Sequence, residues 1–216
     1  MPQIVPAILE TTKAGFLDKL SRLVKLPGLQ KIQVDFGDGK FVPNKILPIT
    51  EIDALNPAFH WEAHLMLEAP KEFFDYRLCG FETLIVHYEA YASQEELKHA
   101  LHSIRALGLK AGLAINPRTQ LAVLRDFSAL ADQFLVMSVT PGFQGQQFIP
   151  STLQRIQELR KLLPHAIIEV DGGINQENIK SLAQAGCDLI AVGSAITKAD
   201  DMVATYDLLQ REINTK

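Results

Sequence analysis

KIQVDFGDGKFVPN, Lys31 to Asn44, begins as a short strand and breaks into a loop, and it carries two aspartates, two glycines and a proline. Side chains on a strand alternate between its faces, so Gln33, Asp35 and Gly37 point the same way. Asp35 therefore stands near the C-terminal end of a strand, between Val34 and Phe36, where water is scarce. A carboxylate in such a place is costly unless it has a partner or a task.

The same alternation of short apolar runs with longer amphipathic ones extends to both ends of the chain. It predicts strands at Gln3–Leu9, Lys31–Asp35, Trp61–Leu67, Thr83–His87, Lys110–Ile115, Gln133–Val139, Ile167–Asp171 and Leu189–Val192. Their starts are spaced by roughly 22 to 34 residues, about the length of a βα unit. The runs are rich in Val, Ile, Leu and Ala with little polar alternation, as parallel strands covered on both faces require. The helices between them carry end signals. Thr11 or Thr12 caps a helix with Phe16, Leu17, Leu20 and Val24 on one face; Ser93 and Glu96 form a capping box, and Gly108 ends that helix. Asn175 caps a helix through Ala185, closed by Gly186, and Leu153, Ile156, Leu159 and Leu163 form one stripe after Pro150. Between Lys45 and Pro57 the pattern is weakest, with a short helix over Ile49–Leu55.

Eight strands and about eight helices point to an α/β fold, a single-domain (β/α)8 TIM barrel over residues 1–216, with an open doubly wound sheet as the alternative. The polar residues favour closure. Asp35, His64, His87, Asn116, Ser138, Asp171 and Ser194 all fall at strand C-terminal ends, the face of such barrels that holds the active site.

Composition narrows the partners. Hydrophobic residues make up 47% of the 216, enough for one large core, and the net charge is −4, which argues against nucleic acid or a membrane surface as a partner. No apolar run reaches the roughly 18 residues of a membrane span, and the N-terminus lacks the basic and apolar regions of a secretory signal. Cys79 and Cys187 show neither metal nor disulfide spacing, as in a cytoplasmic protein with reduced thiols. No organic cofactor is expected.

Asp35 and Asp171 end the second and seventh strands, each with glycine close behind. Two carboxylates facing one another across a barrel mouth suit removal of a proton from one face of a carbon and delivery to the other. A lone aspartate there would more simply cap a loop; the equivalence of the two positions favours chemistry. His64 lies on the strand beside Asp35, sharing a face with Glu62 and Met66, which makes it a candidate for metal binding or proton transfer. His87 is a weaker candidate of the same kind, while His60, His99, His102 and His165 read as surface. Gly172–Gly173 and Gly193–Ser194 each follow a strand, and the loop Thr140–Gln146 follows the sixth. Glycine lets backbone N–H groups approach an anion, and the loops after strands seven and eight are a recurrent phosphate site. An anion would be held there without a basic cluster.

Taken in order, VPAIL (Val5–Leu9), VDFGDGKFVPN (Val34–Asn44), HLML (His64–Leu67), VHYEA (Val86–Ala90), GLAINP (Gly112–Pro117), MSVTPGFQGQQFIP (Met137–Pro150), IEVDGGIN (Ile168–Asn175) and VGSAI (Val192–Ile196) resemble the ribulose-phosphate 3-epimerase family nearly end to end. The resemblance implies a (β/α)8 barrel that inverts C3 of D-ribulose 5-phosphate to give D-xylulose 5-phosphate with the help of a divalent metal. It places the acid/base pair on Asp35 and Asp171, and the metal on Asp35, His64 and Asp171. It places phosphate contacts on Gly172, Gly173, Gly193 and Ser194 with help from Gly142 and Gly145, and substrate-crowding methionines on Met66 and Met137. It also implies a homo-oligomer.

The departures from the family pattern cluster at the site. A serine is replaced by Ala7, a metal-binding histidine by Gln33, a methionine by Gly37, and a glycine by Gln144. An amide oxygen in place of imidazole weakens zinc and favours a harder ion such as magnesium or manganese, with iron also in range, or leaves the site empty. Gly37 is expected to enlarge the pocket, and Gln144 to add an amide near the phosphate loops. The expected activity is epimerisation of ribulose 5-phosphate or a related ketose phosphate. The alternative is a paralogue that binds a sugar phosphate without turning it over. Decarboxylases and aldolase-like synthases on related barrels carry an Asp-x-Lys-x-x-Asp pattern, and Asp35-Phe36-Gly37-Asp38 lacks that lysine.

Overall fold

A computed structural model describes residues 2–214. Eight parallel strands close into a barrel in sequential order: β1 (Gln3–Ile8), β2 (Lys31–Gly37), β3 (His60–Met66), β4 (Thr83–His87), β5 (Lys110–Ile115), β6 (Gln133–Met137), β7 (Ile167–Asp171) and β8 (Leu189–Val192). β8 pairs with β1, so no edge is left and the open-sheet alternative is excluded. Four strands have the bounds the sequence predicts. β2 runs two residues further, to Gly37, and β6 stops at Met137.

The helices are α1 (Lys13–Leu23), α2 (Phe74–Cys79), α3 (Gln94–Ala106), α4 (Thr152–Leu162), α5 (Ile179–Ala185), α6 (Ser194–Thr197) and α7 (Met202–Asn214). Two crossovers depart from the expected helix. β2 reaches β3 through a long loop with one 3-10 turn, Ile49–Glu51, and β5 reaches β6 through the 3-10 segment Leu121–Phe127. Thr12 caps α1 by accepting from the Gly15 N–H, and Ser93 caps α3 by accepting from Glu96 N–H. Asn175 does not cap α5. It holds a preceding turn by accepting from the Glu177 N–H, and the helix begins at Ile179.

The face of α1 is rotated from the one expected. Phe16, Lys19 and Leu23 point inward, while Leu17 is 47% and Val24 37% exposed. Lys19 can be buried because its ammonium meets Glu10 and the Leu9 carbonyl while its stem covers apolar surface.

Alternation along each strand sorts the barrel into two cores. Outward residues such as Ile32, Val34 and Phe36 on β2 and Trp61, Ala63 and Leu65 on β3 join the helices in the main cluster. Phe36 meets the edges of Tyr76 and Phe81 there, at 5.1 and 5.7 Å between ring centres. Inward residues divide by depth. Ile85, Ala114, Leu135, Met137 and Val139 form an apolar plug on one side of the lumen. At the N-terminal end, Lys31 pairs with Glu62, and the Gln133 amide donates to Glu62 at 3.2 Å and to Glu169 at 2.8 Å. At the C-terminal end the register places Asp35 beside His64, and Asp171 between Met137 and Ala191.

Candidate active site

Apart from His87, which is buried behind His64, the residues that the sequence marks as site candidates line one cavity at the C-terminal mouth. Asp35, His64 and Met66 come from β2 and β3, Met137 and Asp171 from β6 and β7, and Gly142, Gly145, Gly172, Gly173, Gly193 and Ser194 from the loops that follow.

At its floor four side chains make a continuous hydrogen-bonded group. The Gln33 amide nitrogen donates to Asp35 Oδ1 at 2.8 Å and to Asp171 Oδ2 at 2.9 Å, bridging strands on opposite sides of the lumen. His64 Nδ1 lies 3.0 Å from Asp35 Oδ1 and 3.4 Å from Asp171 Oδ2. Gln33, Asp35 and His64 are buried; Asp171 keeps slightly more contact with the cavity. Ser138 anchors the end of β7, its hydroxyl oxygen lying 2.8 Å from the Asp171 carbonyl and 2.6 Å from the Gly172 carbonyl, so that its one proton is shared between them.

His87 belongs to the same group more firmly than the sequence suggests. Its Nε2 is 2.8 Å from His64 Nε2, and Phe41 covers its ring at 4.8 Å. Its Nδ1 faces Glu89 Oε2 at 3.5 Å. Glu89 in turn accepts from the Asn116 N–H at 2.8 Å and from the Thr119 hydroxyl. A chain of polar groups thus runs from the carboxylate pair, through two histidines, to the loops after β4 and β5. The Glu89–Thr119 end is not foreseen from sequence. Its one signal is the His87-x-Glu89 spacing at the end of β4.

Burial and neighbours set the protonation of this group. Burial pushes the Asp35 carboxyl up, and Asp171 adds to it, against the opposing hydrogen bonds from His64 and Gln33. Burial pulls His64 down, but its hydrogen bonds to the two carboxylates outweigh that and lift it to about 9. His87 has no such pair beside it; burial, with the neighbouring His64 charge, lowers it to about 4 against the pull of Glu89. At neutral pH His64 is therefore the cation, donating to a carboxylate on one side and to neutral His87 on the other.

The cavity wall after β7 is built from glycine because nothing else fits. Gly172 and Gly173 have φ of 116° and 64°. A Cβ on Gly172 would lie 2.4 Å from Val139 Cγ2, and one on Gly173 2.6 Å from the Phe148 nitrogen, so Gly172 packs against a β6-loop side chain and Gly173 directly against its backbone.

Gly37 does not enlarge the pocket. A Cβ there would meet Ile46 Cδ1 at 2.9 Å and Val42 Cγ2 at 3.0 Å, and these side chains pack with Met66 over the mouth. The long β2–β3 loop fills the volume that a methionine would take.

Asp35, His64 and Asp171 each offer a ligand atom, all within 4.8 Å of one another. Two carboxylates and an imidazole fit a divalent cation. Gln33 presents N–H to the two carboxylates; turning its amide over would present Oε1, which is buried and without a partner, as a further oxygen ligand.

Fold and site together define a (β/α)8 barrel enzyme with a two-carboxylate centre. The chain belongs to the ribulose-phosphate 3 epimerase family, whose sequence profile matches residues 3–197. It is similar to the ribulose-phosphate 3-epimerase of Chlamydia muridarum, 36% identical over 208 residues that cover 92% of this chain and 90% of the relative. With the enzyme of the same name from Mycobacterium bovis it is 34% identical, covering 98% of this chain and 93% of the relative. Among solved structures it is similar in fold to 3-hexulose-6-phosphate synthase from Salmonella typhimurium, with a TM-score of 0.73, 20% identity and 98% of both chains covered. Mycobacterium tuberculosis tryptophan synthase shares the fold at a TM-score of 0.73 and 14% identity, over 100% of this chain and 93% of the other.

Proposed function

We propose that this chain is a single-domain, cytoplasmic epimerase that inverts C3 of D-ribulose 5-phosphate, giving D-xylulose 5-phosphate. The observation that carries the reading is the pairing of Asp35 and Asp171 through Gln33 and His64, beside a glycine-lined wall in one cavity. The phosphate rests on Gly172, Gly173, Gly193 and Ser194 with Gly142 and Gly145 around it, and Met66 and Met137 press on the carbon chain. C3 then lies between the two carboxylates. Asp171, more open to the cavity, takes the C3 proton; Asp35, raised by burial, delivers a proton to the opposite face. The roles exchange in the reverse direction. In the metal-free centre His64, charged and locked in the group, offsets the negative charge that grows on the substrate's oxygens; as a metal ligand it would be neutral, and that role would pass to the cation.

A divalent metal held by Asp35, His64 and Asp171 would supply Lewis-acid polarisation of the substrate's oxygens. Gln33 makes magnesium or manganese a better occupant than zinc, so zinc affinity should rise in Gln33→His, read by chelator competition. Equal zinc affinity in both proteins would remove Gln33 as the weak point. A homo-oligomer is part of the same reading and rests on the family resemblance.

The test is deuterium incorporation at C3 of ribulose 5-phosphate in deuterated water, with and without Mn²⁺ or Zn²⁺. Exchange that disappears in Asp171→Asn supports the two-acid reading. Sugar-phosphate binding with no exchange under any metal would replace it with that of a binding paralogue.

A further inference from the structure

Among the described residues, the cavity wall contains no lysine or arginine. Away from the carboxylates, its side-chain donors are the Ser194 hydroxyl and the amide of Gln144. The Gln144 nitrogen is enclosed and has no hydrogen-bond partner. It lies against Gly193, where a Cβ would be 3.2 Å from Gln144 Nε2 and 3.8 Å from the Ala7 carbonyl. A larger residue than glycine at 193 would crowd the amide.

The loop that presents Gln144 is tied down. The Gln146 amide donates back to the Thr140 carbonyl at 2.5 Å and to the Phe143 carbonyl at 3.0 Å, closing the loop on both sides of Gln144. The same loop rests on the β7 glycines, since a Cβ on Gly173 would lie 2.8 Å from the Gln146 carbonyl. An enclosed N–H without an acceptor is unfavourable, and a native structure rarely keeps one without a reason. An anionic oxygen in the cavity supplies that reason, and it would be the strong, charge-assisted kind of acceptor.

We propose that Gln144 is a specificity-determining residue whose amide N–H donates to the phosphoryl end of the bound substrate. It joins the β6 loop to the Gly193–Ser194 turn across the ligand. This rests on the sugar-phosphate reading for the identity of the anion, and the experiment separates the two. Inorganic phosphate binding, which needs no turnover, is measured by calorimetry on the wild type, Gln144→Ala and Gln144→Glu, alongside KM and kcat for ribulose 5-phosphate. Gln144→Ala should weaken phosphate and raise KM by roughly tenfold, the size expected for one hydrogen bond to a charged group, with kcat within about twofold. Gln144→Glu, which keeps the shape but sets a carboxylate against the anion, should weaken both by more than Gln144→Ala does. Unphosphorylated D-ribulose, as a competitor, should bind all three proteins alike. If the wild type binds phosphate, the variants weaken it and no epimerisation occurs, the assignment of Gln144 stands and the catalytic reading falls. Phosphate affinity and KM unchanged in both variants would overturn the assignment.

Discussion

The two nitrogens of His64 meet different chemistry. Nδ1 faces the carboxylate pair and Nε2 faces His87, so the ring is held at both ends and its charge is fixed by the neighbours rather than by solvent. A histidine raised from 6.5 to about 9 stabilises the fold fully below 6.5, and that contribution is lost as the pH rises through 9. The size is on the order of 3 kcal/mol for a shift of that extent. His87 runs the other way: lowered from 6.5 to about 4, it resists protonation, and its burial costs stability as the pH falls through that window. Imidazole NMR on the chelator-treated protein should show His64 protonated and His87 neutral at pH 7. A His64 midpoint near the ordinary value would remove the charge assignment on which the centre depends. Asp35 and Asp171 are legible from sequence because a strand end fixes where a side chain goes. Glu89 is not, since its partners Asn116 and Thr119 are 27 and 30 residues away, on a loop that no periodicity marks.

At the level of elements, β2 and the loop after it show how a lost side chain is answered locally. Position 37 has no side chain, and Ile46 and Val42 occupy the space that one would need. The Gly37 backbone is outside the left-handed region, so the constraint is room rather than conformation. Gly37→Ala should be mild, because the nearest atom is the flexible end of Ile46. Gly37→Met should lower stability by about 1 to 3 kcal/mol, the usual effect of overfilling a packed site. Adding Ile46→Ala should return much of that loss, and the coupling in a denaturation double-mutant cycle measures it. Additive effects would mean that Ile46 does not stand in for the missing side chain. The sequence alone points to an open pocket here, because the missing side chain at position 37 is visible in it and the loop folding over that position is not. The rotated face of α1 has a similar origin. Hydrophobicity ranks Leu17 and Val24 above Lys19, but only tertiary contact shows that Glu10 is placed to receive the lysine.

Across the whole molecule, the barrel lumen is polar at both ends, and the two ends do different work. Eight strands were legible because each is buried on both faces and spaced by a crossover; the fate of their inward polar residues was not, since closure alone decides which of them meet. Glu62 and Glu169 come from strands far apart in the sequence, yet both reach the Gln133 amide, and Lys31 is ion-paired with Glu62. Burial drives the Glu169 carboxyl well above its ordinary 4.5, and Glu62 beside it adds to this more than Lys31 offsets. A carboxyl raised in this way penalises the fold increasingly as the pH climbs above 4.5, because the unfolded chain releases the proton and the native state retains it. Glu169→Gln keeps the shape and the neutral state while removing that penalty. The variant should melt higher than the wild type, with a gain that grows between pH 5 and pH 8. Epimerase activity should change little, because the substitution lies at the end of the lumen away from the mouth. Lys31→Met should do the opposite and lower the melting temperature sharply, since it strips the cation from its buried partner Glu62. A Glu169→Gln protein that melts lower than the wild type at every pH would show that the carboxylate form is the one the barrel base requires.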